Sequence, residues 1–322
     1  MTLGIDIGGA NTKAATADGR YVASIYLPLW RDADLEGTLN RIRREAPAGG
    51  PAGVTITGEL ADCYPTKKDG IDHISRIVTR VFPDAVFYGT DGRFHRDTGD
   101  AALFSAANWS ASARYMGRVH GDVLFVDIGS TTTDIIPVVG GKPVAGLTDF
   151  ERLTRGELIY AGALRTNLAA MLRHVTVKGR EASTASELFA VTGDVYLLLG
   201  RITPDDYTCD TPDGCGKCPE DAARRIARLV CCDLSELDMD DVREIARQAH
   251  RRQVDDLAGA IRTVAERHGL KRAAICGLGS FLARDALGEL EMPFSQVPDA
   301  RISKVFPAYA VACLLEDEKN VP

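Results

Sequence analysis

The residues best suited to chemistry lie in two glycine-containing segments that each begin with an aspartate. The first segment, DIGGANTK, contains Asp6, Gly8, Gly9, Asn11, Thr12 and Lys13. Glycines let backbone N–H groups approach an anion closely, and a carboxylate beside them can hold Mg²⁺ through water. With Lys13 adding a positive charge, this segment predicts a site for phosphate oxygens and a divalent cation.

The second segment follows about 120 residues later and repeats the same order of residue types. Its sequence, DIGSTTTD, contains Asp127, Gly129, Ser130, Thr131, Thr132 and Asp134. The hydroxyl side chains of Ser130, Thr131 and Thr132 add hydrogen-bond donors for an anion. The alternative is that Asp6 and Asp127 each cap only their own turn.

A third glycine turn, CGLGS, contains Gly277, Gly279 and Ser280 but no carboxylate. It precedes a predicted helix at 281–287, so it suits a nucleotide base, a ribose or a further phosphate at a helix N-terminus. Each turn alone is a weak signal, because glycine-rich strand ends are common in α/β proteins.

The elements that position these turns follow a strand, glycine turn, strand order in both halves of the chain. Strands are predicted at 3–7, 12–17, 21–27, 53–57 and 85–88, with helices at 35–46 and 71–82. A small-residue helix at 100–117 leads into strands at 123–128 and 131–139. The alternation of strands and helices predicts an α/β fold.

From about residue 157 the pattern becomes mostly helical, with helices predicted at 187–199, 220–230 and 239–268. A strand at 273–276 and a helix at 305–315 complete the chain. We therefore expect one lobe of residues 1–118 plus 303–322, and a second lobe of residues 119–302 with a helical insertion.

Composition narrows the class of protein. The 322 residues are 45% hydrophobic and 26% charged, which excludes disordered, collagen-like and coiled-coil chains. A net charge of −7 argues against nucleic acid as a partner. No leader pattern and no run of about 18 apolar residues is present, so we expect a cytoplasmic protein with no membrane contact.

The eight cysteines are expected to be reduced thiols. Cys209, Cys215 and Cys218, with Cys231 and Cys232 beyond them, have the spacing C-x5-C-x2-C-x12-C. A structural Zn²⁺ site would use four such ligands. Three interpretations stay open: a zinc site, a redox pair of Cys215 and Cys218, or plain reduced cysteines.

The joint order of the three turns resembles the acetate kinase, sugar kinase, Hsp70 and actin superfamily. The resemblance implies an α/β, two-lobed sugar kinase/Hsp70/actin-like (ribonuclease H-like) fold with a central cleft. IDIGGANTK and VDIGSTTTDI are similar to the hydantoinase/oxoprolinase branch. TGELAD at 57–62, AANW at 106–109, GELIY at 156–160 and DTPDG at 210–214 resemble a family of tetrahydromethanopterin-linked one-carbon metabolism.

That family includes the ether synthase of methanofuran biosynthesis, which joins a furanylmethyl diphosphate to γ-glutamyltyramine and releases diphosphate. The resemblance implies that Asp6 and Asp127 hold Mg²⁺, while Lys13 and the glycine turns bind the diphosphate. Either Asp134 or Asp62 would accept the phenol proton. Residues that would hold the substrates are Lys67, Asn108, Glu157 and Arg165.

Several of these residues could instead have only a structural role or no role in the site. The cations Lys13, Lys67 and Arg165 would then be solvated surface charges, and Asn108 a local cap. Trp109 would belong to the core, and Glu157 to the first turn of a helix.

Two other functions stay open. The first is an ATP-dependent kinase or an oxoprolinase-like or hydantoinase-like enzyme with a nucleotide at the third turn. The second is a non-catalytic nucleotide sensor. The acceptor substrate, the bound nucleotide and the formation of a homodimer are not determined by the sequence.

Overall fold

The first half of the chain forms a sheet that begins with three antiparallel strands, as predicted. The computed structural model describes residues 1–31, 33–47 and 49–319. The strands are β1 (Leu3–Gly8), β2 (Asn11–Thr16), β3 (Val22–Tyr26), β4 (Ala52–Thr57), β5 (Val86–Tyr88) and β6 (Phe94–His95). They lie in the order β3-β2-β1-β4-β5-β6, with β4 parallel to β1 and β5 parallel to β4.

A second sheet repeats this plan in the other half of the chain. Its strands are β7 (Val123–Ile128), β8 (Thr133–Val139), β9 (Lys142–Pro143), β10 (Leu158–Ile159), β13 (Ala273–Cys276) and β14 (Phe294–Gln296). The order is β10-β8-β7-β13-β14, and β9 pairs with β8. β8 is antiparallel to β7, whereas β13 is parallel to β7. A separate hairpin consists of β11 (His174–Val177) and β12 (Arg180–Ser183).

Helices connect and cover these sheets. They are α1 (Leu35–Glu45), α2 (Lys67–Val81), α3 (Ala101–Phe104), α4 (Asn108–His120), α5 (Asp149–Arg155), α6 (Leu168–Met171), α7 (Thr192–Leu198), α8 (Pro219–Ala227), α9 (Met239–His268), α10 (Ser280–Glu289), α11 (Ala300–Lys304) and α12 (Phe306–Lys319). Short 3-10 helices lie at Leu29–Arg31 and Arg228–Val230.

Alternation along β1 sends neighbouring residues to opposite faces of the first sheet. Ile5 packs with the apolar residues of α1 and α2. On the other face, a Cβ at Gly4 would lie 1.9 Å from the carbonyl oxygen of Ala308, and one at Gly53 would lie 2.7 Å from Val311 Cγ1. The two glycines therefore let α12, from the end of the chain, pack directly on the strands that carry the first glycine turn.

Helices α4 and α12 join the two sheets. Trp109 and Met116 of α4 share a buried cluster with Phe125 of β7 and with Phe306 of α12. The same α12 contacts β1, β2 and β4 of the first sheet. These contacts fix the position of the first glycine turn relative to the second.

Three predictions about helices are wrong in detail. The single helix predicted at 100–117 is interrupted at residues 105–107, where Ala106 has a positive φ of 50°. The helix predicted at 187–199 begins only at Thr192. The last turn of the helix predicted at 220–230 is the 3-10 helix Arg228–Val230.

The region after residue 157 is also less helical than predicted, since it contains β10 and the β11–β12 hairpin. Lys178 and Gly179, at the turn of this hairpin, both have positive φ. Its strands are short and largely exposed, so they carry little hydrophobic alternation.

The paired sheets with the cleft between them confirm the predicted α/β, two-lobed class. The exact lobe limits, 118/119 and 302/303, stay a prediction, and residues 320–322 lie outside the described part of the chain. Among the described helices, none combines the length and the apolar character needed to cross a membrane.

Candidate functional site

The two glycine turns are built on equivalent hairpins. Asp6 of β1 lies opposite Lys13 of β2, and Asp127 of β7 lies opposite Asp134 of β8. Residues directly opposite in an antiparallel pair project from the same face of the sheet. Each hairpin therefore presents a pair of ionisable side chains, acid with base in the first and acid with acid in the second.

Both hairpins face one cavity of about 410 Å³. The cavity brings together most of the residues that the sequence singled out: Asp6, Gly8, Gly9, Asn11, Lys13, Asp62, Asn108, Gly129, Ser130, Thr131, Thr132, Asp134 and Arg165. Hairpin residues from two distant segments thus form the polar lining of one cavity, and the volume of this cavity is that of a small-molecule site.

Several predicted residues are not among those that line this cavity. Thr12 is buried, one residue out of phase with Asn11 and Lys13 along β2. Asp127 is half-buried and is not a lining residue, and its carboxylate interacts with Lys13 and with the thiol of Cys276. Lys67 is also not a lining residue, but it forms an ion pair with Asp149, which is one.

Glu157, which the resemblance makes a substrate-holding residue, is not among the lining residues of the cavity. The alternative of a helix first turn does not apply either, because Glu157 follows α5 and precedes β10. Its carboxylate accepts a hydrogen bond of 2.7 Å from the N–H of Gly146, and its Oε1 is 3.7 Å from Arg267 Nη1. These contacts, made by a side chain 1% exposed, hold the chain that leads from α5 to the second hairpin.

The third glycine turn packs against the second hairpin. A Cβ at Gly277 would lie 2.3 Å from the carbonyl oxygen of Ile128 and 2.4 Å from Asp127 Oδ1. A Cβ at Gly279 would lie 2.4 Å from Ile128 Cγ2. These two glycines, with Ser280 beginning α10 directly after them, bring β13 close to the end of β7.

Electrostatics at the hairpins are dominated by carboxylates withdrawn from water. Burial raises the pKa of Asp6, although Lys13 and the hydroxyls of Thr57 and Thr55 oppose that shift. Burial, with Asp134 and Asp6 nearby, raises the pKa of Asp127 to about 7. Because these carboxyls are poorly solvated, a bound cation in addition to Lys13 would stabilise their ionised forms.

Sequence reasoning missed Arg152, which is 2% exposed and lines the cavity. Its Nη1 donates to Asp134, its Nη2 donates to Asp149 at 2.7 Å, and its guanidinium stacks 4.8 Å from the Trp109 ring centre. Asp134, an expected proton acceptor, is thus already in an ion pair. The available signal was the spacing of Asp149 and Arg152 by three residues, which places them on one helix face.

Glu59 was also missed. It lies within the quoted TGELAD motif, is 2% exposed and lines the cavity. The signal that could have found it is an acid directly after a glycine at the end of a predicted parallel strand, since ligands gather at such carboxyl ends.

Contacts from both halves of the chain close one side of the cavity. The Arg165 guanidinium lies 4.6 Å from the ring centre of Trp30. Lys67 Nζ lies 3.8 Å from Asp149 Oδ2, and the Tyr26 hydroxyl donates to Asp210 Oδ2 at 3.2 Å. Arg165, Lys67 and the loop of Asp210 therefore connect the lobes beside the cleft.

All eight cysteines are free thiols. In residues 1–31, 33–47 and 49–319, no group of three or more His, Cys, Asp or Glu side chains is arranged to hold a metal ion. Around the cysteine loop, Arg225 instead forms buried contacts with Asp194 at 2.8 Å and with Asp213 at 3.0 Å. Cys209 is buried, whereas Cys215 is exposed.

Comparison with known proteins gives consistent matches. The family model for hydantoinase/oxoprolinase matches residues 52–318. A (4-{4-[2-(γ-L-glutamylamino)ethyl]phenoxymethyl}furan-2-yl)methanamine synthase from Methanocaldococcus jannaschii is 35% identical over 327 residues, covering 99% of this chain and 98% of its own. A synthase of the same name from Methanococcus vannielii is 38% identical over 210 residues, covering 63% of this chain and 95% of its own.

Among solved structures, the nucleotide-free structure of acetone carboxylase has a TM-score of 0.51 at 14% identity. The likeness covers 94% of this chain and 51% of that chain. At this identity the likeness supports the fold alone.

Proposed function

Because the chain belongs to the hydantoinase/oxoprolinase family and, within it, to the family of the (4-{4-[2-(γ-L-glutamylamino)ethyl]phenoxymethyl}furan-2-yl)methanamine synthases, we propose that it forms the ether bond of that compound. The observation that carries the proposal is the relationship to a synthase of that name over 99% of this chain. The enzyme is then a transferase of alkyl groups that acts in methanofuran biosynthesis.

The structure of the product indicates the substrates. Its ether oxygen joins the phenol of γ-glutamyltyramine to a methylene group on a furan ring. We propose that the phenol is the nucleophile and that an aminomethylfuranylmethyl diphosphate supplies the methylene carbon, as the family resemblance implies. The new C–O bond forms to the phenol oxygen, the C–O bond to diphosphate breaks with its electron pair, and the phenol proton passes to a base.

The two hairpins suit the leaving group. Gly8 and Gly9 bring their backbone to one side of the cavity, and Ser130 brings a hydroxyl donor to the other side. The N–H of Gly129 is already donated to the carbonyl oxygen of Thr132. Lys13, which forms no ion pair within 4 Å in the described part of the chain, adds a free positive charge. Donors and charge fixed in this way stabilise the negative charge that diphosphate gains as it leaves.

The carboxylates fit a divalent cation that is bound together with diphosphate. Asp6 is buried and Asp127 is half-buried, and desolvation raises the pKa of both carboxyls. No cluster of three ligand side chains forms a complete cage in the described residues. Mg²⁺ characteristically takes one or two protein carboxylates and completes its shell with water and phosphate oxygens. Bound there by Asp6 and Asp127, the ion would neutralise charge on the leaving diphosphate.

The remaining cavity residues would orient the two organic substrates. The furan ring is electron-rich and stabilises positive charge on the methylene carbon, so positioning of the phenol is the main further demand. Arg165, stacked on Trp30, offers a cation for the carboxylate of the γ-glutamyl group. Asn108 lines the same cavity and offers an amide. A cytoplasmic location stays a prediction, and a homodimer stays open.

An ATP-dependent kinase or hydrolase is not favoured by the third glycine turn. That turn packs against β7 and is not part of the cavity lining. Zinc at the loop of Cys209, Cys215 and Cys218 likewise stays a prediction without a supporting cluster in the described residues.

The direct test incubates the purified protein with the furan diphosphate, γ-glutamyltyramine and Mg²⁺, and measures the product by mass spectrometry. We expect the ether and one equivalent of diphosphate. A reaction that requires ATP and releases orthophosphate without ether formation would contradict the proposal.

Calorimetric titration offers an independent test that needs no organic substrate. We expect Mg²⁺ with diphosphate to bind more tightly than Mg²⁺ with ADP, because the proposed chemistry recognises a leaving diphosphate and needs no adenine. Tight ADP binding without measurable diphosphate affinity would support a nucleotide-dependent enzyme instead.

A further inference from the structure

Glu59 is a buried acid whose carboxylate is only half satisfied. Its Oε1 accepts a hydrogen bond of 2.5 Å from Ser105 Oγ. Its Oε2 is buried and has no hydrogen-bond partner among the described residues, although the side chain lines the cavity. A buried acceptor without a partner is costly, so this oxygen is prepared for a donor that arrives with a ligand.

Two glycines hold the backbone of Glu59 close to the first hairpin. A Cβ at Gly58 would lie 3.1 Å from the carbonyl carbon and oxygen of Gly8. A Cβ at Gly70, in the first turns of α2, would lie 2.5 Å from the Glu59 carbonyl oxygen. Glu59 is therefore fixed between the helix and the glycines that we propose bind diphosphate.

The partner of Glu59 is fixed as well. Ser105 forms an isolated bridge with Ile56 of β4, two residues before Gly58. Ala106, which follows it and lines the cavity, has a positive φ of 50°. A left-handed conformation at a residue with a side chain costs free energy and is typical of positions where function requires a particular geometry.

The surroundings of Glu59 suit a proton acceptor. Burial raises the pKa of its carboxyl above the ordinary range, although the hydrogen bond from Ser105 and, more weakly, the charge of Lys67 oppose this shift. A base works best when its pKa approaches the pH at which the enzyme operates. Of the two acids expected from sequence to take the phenol proton, Asp134 is in an ion pair with Arg152, and Asp62 is exposed.

We propose that Glu59 is the general base of the reaction, with Oε2 accepting the proton of the phenol as its oxygen attacks the methylene carbon. This assignment rests on the proposed function. The phenol oxygen gains the carbon, diphosphate leaves with the electrons of the broken bond, and Glu59 becomes a neutral acid.

The test compares Glu59→Gln with the unaltered enzyme on acceptors of different acidity: γ-glutamyltyramine and analogues with one to three fluorine atoms on the phenol ring. Fluorination lowers the phenol pKa from about 10, so the fluorinated acceptors need less help from a base. We expect kcat of Glu59→Gln to fall about 10²- to 10⁴-fold with γ-glutamyltyramine. The loss should shrink at least tenfold with the most acidic acceptor.

Controls separate this role from others. Glu36→Gln makes the same change on the surface of α1, where Glu36 pairs with Arg80, and should leave every rate unchanged. Glu59→Asp keeps the charge but retracts it by one methylene, so it should give an intermediate kcat. This variant also tests the proposal if Glu59→Gln does not fold.

Other outcomes would overturn the assignment. Equal losses with all acceptors would indicate a structural role. A raised KM for the furan diphosphate with unchanged kcat would indicate that Glu59 binds the aminomethyl group. The acidity-dependent loss appearing in Asp62→Asn instead would make Asp62 the base. If the unaltered enzyme forms no ether, the proposed function itself fails, whereas normal ether formation by Glu59→Gln refutes only the role of Glu59.

Discussion

The two hairpins share a backbone plan but differ in how their charge is balanced. In the first, Asp6 lies opposite Lys13, so the acid and the base come from the same hairpin. In the second, Asp127 lies opposite Asp134, and the compensating cation is Arg152 from α5. The two hairpins therefore have the same backbone arrangement, but the cation that compensates the acid comes from the hairpin itself in the first and from a helix in the second.

This difference separates a free charge from a committed one. Lys13 forms no ion pair within 4 Å in the described segments and faces the cavity, where it interacts at longer range with Asp6 and Asp127. Arg152 is almost fully buried and is bound to Asp134, Asp149 and the ring of Trp109. We infer that Lys13 binds the ligand, whereas Arg152 stabilises the structure of the second hairpin.

The largest expected effect is on stability, in Arg152→Met. Removing one partner of a buried ion pair leaves Asp134 as an uncompensated charge, which costs about 3–5 kcal/mol of the free energy of unfolding. Denaturant titration measures this loss. The matched variant Lys13→Met removes a cation that interacts with Asp6 and Asp127 without an ion pair within 4 Å in the described residues, so it should cost less, about 1 kcal/mol or below.

A double variant sharpens the same point. In Arg152→Met combined with Asp134→Asn, the buried charge is gone with its partner, so the loss should be smaller than the sum of the single losses by about 1–3 kcal/mol. Strict additivity would show that the two side chains do not depend on each other, and the comparison of the hairpins would then fail.

The next largest effect is on turnover, in Asp6→Asn and Asp127→Asn. Each change removes a carboxylate that we propose holds the cation on the leaving diphosphate. We expect kcat to fall about 10²- to 10³-fold, or about 3–4 kcal/mol of barrier, while circular dichroism shows a folded protein. A variant that keeps more than about a tenth of kcat, a change of only about 1.4 kcal/mol, would contradict the metal assignment.

Part of the structure of these hairpins could be predicted from the sequence. The positions of Asp6, Lys13, Asp127 and Asp134 follow from the strand, glycine turn, strand pattern, because opposite residues in a short hairpin are determined by the turn length. That both hairpins line one cavity depends on α12 packing against Gly4, a contact between residues some 300 positions apart in the chain. Resemblance to known families, not periodicity, supplied that expectation.

Arg152 and Glu59 were beyond this reasoning for a physical reason. Their importance comes from burial and from partners on other elements, namely Trp109 for the first and Ser105 for the second. The sequence shows an arginine on a short helix with as many basic as acidic residues, and a glutamate in a loop, and both residue types are usually solvated. For Glu157 the sequence left a substrate contact and a helix first turn open, and it did not show the buried hydrogen bond from Gly146 that the fold provides.

A smaller effect on stability should distinguish the glycines of the two turns. A Cβ at Gly8 would lie 2.8 Å from the backbone oxygen of Asn11, whereas one at Gly129 would lie 3.5 Å from that of Thr132. Gly8→Ala must therefore shift its hairpin, at a cost of about 1–3 kcal/mol. Gly129→Ala meets only ordinary van der Waals contact and should change the free energy of unfolding by less than about 0.5 kcal/mol. Equal losses in denaturant titration would show that the turns are packed alike.

The smallest effect is expected outside the hairpins, in Cys215→Ser. The thiol of Cys215 is exposed, and the shape of its loop depends on backbone contacts that serine retains. The Cys215 N–H donates to Asp213 Oδ1 at 3.0 Å, and its carbonyl accepts from Thr211 Oγ1 at 2.8 Å. Since Asp213 is held in turn by Arg225, the loop does not need the sulfur for its structure. We expect kcat and the free energy of unfolding to stay near the values of the unaltered protein, the latter within about 0.5 kcal/mol. Zinc content, measured by mass spectrometry of the metal, provides the contrary outcome. If Cys215→Ser folds but has lost one equivalent of zinc and part of its stability, the loop holds a structural metal.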